Sequence, residues 1–137
     1  PALLLVLVVT VLNGYGQFTF FTYLNPFLKE TLGAGAALLT FVLAWHGLSA
    51  TAGNIIASRF VGRLGTSRSA LATLLAMIGG LTLWGGGAAT LGIVLVAAVL
   101  WGLGTFATNS IQQARLAGLA PDLASASISL NTSAIYL

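Results

Sequence analysis

Apolar residues fill this chain in long unbroken runs, and the polar residues between them fall in short clusters. A run that crosses the hydrocarbon of a bilayer as a helix needs about 20 mostly apolar residues. Four segments meet that requirement: residues 3–24, 36–57, 70–87 and 91–111, the third short in its apolar part. A fifth, 123–137, opens in the same way and is incomplete. Pro26, in "NPF", predicts the stop of the first helix, because proline has no N–H to donate and its ring clashes with the preceding turn. The runs are continuous rather than alternating, and a barrel strand would be half as long, so helices are the expected spanning form. The pattern predicts an all-α membrane protein, a polytopic helical bundle of four complete transmembrane helices plus the start of a fifth.

Composition sharpens this picture. The 137 residues are 58% hydrophobic and 5% charged, whereas a soluble domain carries about 25% charged residues. Five basic and two acidic side chains cannot solvate a water-soluble fold of this length, so the lipid bilayer is the expected partner. There is no cysteine, which removes disulfides and thiolate metal sites. The net charge of +3 comes from a few linker arginines with no basic-aromatic surface, so no nucleic-acid partner is expected. The chain starts without methionine and ends within an apolar run, and it reads as a segment of a longer protein. No cleavable signal peptide is visible.

The linkers "KETLGAG", "SRFVGRLGTSRS", "GGGAAT" and "QARLAGLAPD" are short, which predicts that successive helices are antiparallel neighbours. Their basic residues number one, three, zero and one. Lys and Arg counts set orientation, so the second and fourth linkers, and with them the loop 58–69, are expected to face the cytoplasm. Small residues crowd the runs: Gly47, Ala50, Gly53 and Ala57 in the second, Gly79 and Gly80 in the third, Gly102 and Gly104 in the fourth. In lipid such residues let helix backbones approach closely, and tight bundling accounts for most of them.

Polar side chains within apolar runs are costly and mark candidate sites. Asn13 and Gln17 are four residues apart and share a helix face, while Tyr15 and Thr19 lie on a neighbouring one. Asn13, Tyr15, Gln17, Phe21 and Thr105 are the expected lining of a cavity for amphipathic or aromatic solutes; interhelical hydrogen bonding is the ordinary alternative for the amides. His46 is the one ionisable group deep in a run, able to exchange a proton near neutral pH or to serve as a neutral hydrogen-bonding residue. Asn109, Gln112, Gln113 and Arg115 read as the cytoplasmic end of the fourth helix, with Asp122 in the linker after it. No acid lies within a run, so a proton-coupling carboxylate would have to lie outside this chain. "NTS" at Asn131 matches a glycosylation sequon but opens a membrane segment and is discounted. His46 and Ser49 share a helix side, yet no nucleophile turn, second histidine or acid supports a hydrolase, and no enzyme is expected.

"GNIIASRFVGRLGTSR", residues 53–68, resembles the cytoplasmic loop motif G-x-L-a-D-R-x-G-r-r of the major facilitator superfamily. Arg63 and Gly65 fall on the motif's arginine and second glycine, Arg68 on its trailing basic cluster, and Arg59 at or after its first glycine. Gly62 replaces the aspartate, as in the weaker copy of the C-terminal half. "NSIQQARLAGLAPDLASASISLNTSAIYL", residues 109–137, is similar to the tenth-to-eleventh helix region of the drug:proton antiporter and arabinose-efflux-permease-like branch through Gln113, Arg115, Pro121, Asp122, Ala126, Ser127 and Asn131. "YLNPFL" resembles that branch's seventh helix. The resemblance implies a C-terminal-half fragment of a twelve-helix fold, whose partner is a missing N-terminal six-helix bundle. It further implies a secondary active transporter working by alternating access. Proton-coupled export of small amphipathic compounds or sugars is the expected activity, with uptake or facilitation as one alternative and a non-transporting membrane scaffold as another. Arg59, Arg63, Gly65 and Arg68 would form a cytoplasmic gating loop. No cofactor or metal is implied. The expected location is a bacterial inner membrane.

Overall fold

A computed structural model describes residues 2–87 and 90–136. It contains α1 (Ala2–Leu32), α2 (Ala36–Leu64), α3 (Thr66–Gly85), α4 (Leu91–Leu119) and α5 (Ala124–Ala134), with a 3-10 turn at Pro121–Leu123 before α5. No strand occurs among the described residues. Helices α1 to α4 are each long and apolar enough to cross a membrane, giving a polytopic helical bundle. Leu137, the expected limit of the fifth segment, lies outside the described residues.

Three helices outrun the lengths that hydropathy predicts. Helix α1 does not stop at Pro26 but continues to Leu32. Proline forfeits one backbone hydrogen bond, and packing on both sides of it holds the helix together: Leu24 and Leu28 are buried. The helix ends instead at Gly33, whose φ of 64° turns the chain so that its N–H donates to Lys29 O at 3.0 Å. Helix α2 passes through "SRFVGRL" to Leu64, so the expected loop 58–69 is not a loop. Arg59 and Arg63 ride on its last turns, and Arg68 lies on the first turn of α3. These residues are compatible with helix, and charge marks where the helix leaves lipid, not where it ends. The whole connection is Gly65, with φ 78° and ψ 162°, a left-handed conformation that an L side chain would strain. Helix α4 likewise runs on past residue 111 to Leu119.

Helix α4 is the hub. It packs most extensively on α2 and α3, and also touches α1 and α5. Helix α1 leans on α4 and α5 more than on α2, so sequence neighbours are not always packing neighbours. Glycine sets the closest approaches. Gly53 of α2 lies against the Leu103 backbone, Gly102 against His46 O and Ser49, Gly104 against Thr73 and Met77, and Gly80 against Trp101 and Ala97. Gly47 and Gly79 meet no such backbone.

An aromatic cluster ties α1 to this hub. Phe20 of α1 stacks on Trp84 of α3 at 4.2 Å and meets Trp101 of α4 edge-on at 4.6 Å. Trp101 is fully buried, and Leu24, Leu28, Val42, Met77 and Val94 complete the core around it.

Candidate functional site

The bundle leaves a cavity of about 420 Å³ between α1, α2, α4 and the chain just after α5. Small-molecule sites typically fall between about 300 and 1,000 Å³. Helix α1 contributes Asn13, Gln17 and Phe21; α2 contributes His46; α4 contributes Thr105, Asn109 and Gln112. The helical repeat explains these sets: 13 and 17, or 105, 109 and 112, recur every three or four residues along one face.

Tyr15 lies elsewhere. It is not among the lining residues and its side chain is largely exposed. Two residues along a helix turn the side chain by about 200°, to the face opposite Asn13, so an adjacent face was the wrong expectation. Tyr23 is also exposed.

His46 is buried against Trp101. Their rings stack at 4.0 Å with an interplanar angle of 27°, and Phe21 meets the imidazole edge-on at 5.6 Å. Its Nδ1 lies 3.4 Å from Ala98 O, a long contact that favours the proton on Nδ1 and leaves Nε2 as the acceptor of a neutral ring. Ser49 does not engage this histidine: its hydroxyl donates to Trp45 O at 2.8 Å.

The polar face of α4 belongs to the bundle interior rather than to a helix end. Because α4 continues to Leu119, Asn109 and Gln112 sit well inside it. The Nδ2 of Asn131 donates to Asn109 Oδ1 at 3.3 Å, and its Oδ1 accepts from Thr10 Oγ1 at 2.7 Å. Asn131 is fully buried and thus links α1, α4 and α5. Thr108 donates to Thr73 Oγ1 at 2.9 Å, tying α4 to α3. Arg115 Nη1 donates to Gln112 Oε1 at 3.0 Å. Gln113 is half-buried and Asp122 exposed, and neither lines the cavity. Arg59, Arg63 and Arg68 are exposed beside Gly65, away from it.

Sequence reading missed the role of Asn131, whose sequon context drew attention from its partners. A polar residue in an apolar run, facing polar residues of two other runs, was the available signal. Among the described residues no group of three His, Cys, Asp or Glu forms that could hold a metal. The lining combines amides, hydroxyls, one imidazole and aromatic rings. Such a surface can hydrogen-bond a polar solute and cover an apolar ring; it has no ionic anchor.

No family model matches the chain, and no solved structure does. Over 61 residues it is 38% identical to the uncharacterized MFS-type transporter YtbD of Bacillus subtilis (strain 168). That stretch covers 44% of this chain and 15% of the relative. This likeness supports membership of the major facilitator superfamily at most, and the four membrane-length apolar helices support an integral multi-pass membrane protein.

Proposed function

We propose that this chain is part of the C-terminal six-helix bundle of a major facilitator superfamily carrier that moves small amphipathic compounds or sugars by alternating access. The observation that carries the reading is the cavity, where Asn13 and Gln17 of α1 face Thr105, Asn109 and Gln112 of α4 across one space. Buried amides are costly in lipid unless they meet partners or solutes. The missing N-terminal bundle would close the open side, where Phe18 and Phe21 are exposed. Export in exchange for protons follows from the likeness of residues 109–137 to the efflux branch. The coupling carboxylate would lie in the missing bundle, and His46 would be the proton-responsive group of this one. The three arginines beside Gly65 would face the cytoplasm of a bacterial inner membrane and act as a gate between the bundles.

The test is transport by the full-length protein in oriented proteoliposomes with an imposed pH gradient. Accumulation driven by an opposing proton gradient supports exchange; equilibration without the gradient indicates facilitation; no movement of any solute favours a scaffold. Arg63→Ala is expected to cut transport at least about tenfold at equal membrane levels, since an exposed arginine contributes little to folding. Unchanged transport would remove the gating role.

A further inference from the structure

Gln112 is 1% exposed and lines the cavity, yet its Nε2 has no hydrogen-bond partner. Its other amide atom is committed, because Arg115 Nη1 holds Oε1 at 3.0 Å. Guanidinium can only donate, so it fixes which end of the amide is the oxygen. The nitrogen is left as the unused end. Arg115 itself is absent from the cavity lining and borders a separate depression beside Ser67 and Gly118.

We propose that Gln112 is a specificity-determining donor, its amide oriented by Arg115 as a positioning residue, to an uncharged oxygen acceptor of a neutral substrate that also carries an apolar ring. This rests on the transport reading of the cavity. A buried donor without a partner is a standing cost that a substrate oxygen removes. The neutrality follows from the rest of the lining. It contains no Lys, Arg, Asp or Glu, and a carboxylate in the missing bundle would repel an anion, so with His46 neutral an anionic substrate would surrender its water for no counter-charge. Phe18, Phe21 and Phe106 offer the ring surface.

The probes are 4-nitrophenyl β-D-glucopyranoside and its anionic glucuronide counterpart, titrated into the full-length protein. Nitrophenyl groups quench indole fluorescence, and Trp101 stacks on His46 at the cavity wall. Saturable quenching by the glucoside is expected, with the glucuronide at least about tenfold weaker, a difference of about 1.4 kcal/mol. Gln112→Glu keeps an acceptor for Arg115 but has no N–H to offer the substrate. It is expected to weaken glucoside binding about tenfold while leaving the melting temperature unchanged or raised. Gln112→Met is expected to lose the same binding. A purely structural role for the pair predicts that Gln112→Glu binds the glucoside like the native protein, and that result overturns the proposal. So does equal binding of the glucuronide, or no glucoside binding by the native protein. Transport of the glucoside is scored separately. Binding that depends on Gln112 without movement across the bilayer supports the donor and counts against the carrier.

Discussion

Gly53→Leu is expected to separate α2 from α4 and to leave little folded protein, while Gly47→Leu on the same helix is tolerated. A Cβ on Gly53 would overlap the carbonyl oxygen of Leu103 and lie 2.5 Å from its Cα, so the obstacle is backbone and cannot rotate away. At Gly47 a Cβ meets nothing within 4 Å. Overpacking commonly costs about 1–3 kcal/mol and more where nothing can yield. Between lipid-embedded helices no hydrophobic gain offsets that loss, since lipid is as apolar as leucine. Even Gly53→Ala should lower the melting temperature of the purified full-length protein clearly. The check is thermal unfolding of the three variants in one detergent; equal melting of Gly53→Leu and Gly47→Leu would show that this interface is not closely packed.

Trp101→Ala should be comparably damaging. Trp101 is fully buried and touches Phe20, Phe21, His46 and Trp84, from three other helices. Truncating a buried tryptophan costs about 3–5 kcal/mol, mostly through the cavity left behind. The loss should also reach function, because His46 and Phe21 rest on that ring at the cavity wall. Trp101→Phe should be far milder. It keeps an aromatic surface and removes the indole Nε1, which is buried without a hydrogen-bond partner. Unfolding temperature and glucoside quenching through the remaining tryptophans check both variants; a Phe replacement as damaging as Ala would mean that shape complementarity of the indole dominates.

Hydropathy made the four spanning helices and the helical bundle legible, because a 20-residue apolar run has few other solutions in lipid. Their ends were not legible. Pro26 breaks an isolated helix, but burial of Leu24 and Leu28 around it overrides the local preference. Arg59 and Arg63 read as loop because they are charged, yet charge is compatible with a helix that extends into water. The periodicity that pairs Asn13 with Gln17 is local and readable. Which polar residues face one another across helices depends on packing order, and α1 sits on α4 and α5 instead of pairing chiefly with α2. For that reason Asn131 acquired its partners Thr10 and Asn109 only in three dimensions. The small residues illustrate the same limit: Gly47 and Gly53 have equal standing in the sequence, and only one of them meets a neighbouring backbone.

The central claim is that the polar space between α1 and α4 is the route of a solute. Its most direct test is transport by the full-length protein carrying Asn13→Leu and Gln17→Leu together, reconstituted at native levels with an unchanged melting temperature. Both residues are only half-buried, so folding should survive the exchange. The account predicts at least about a hundredfold loss of transport, two polar contacts at roughly tenfold each. Transport within twofold of the native rate in a folded double variant would contradict it.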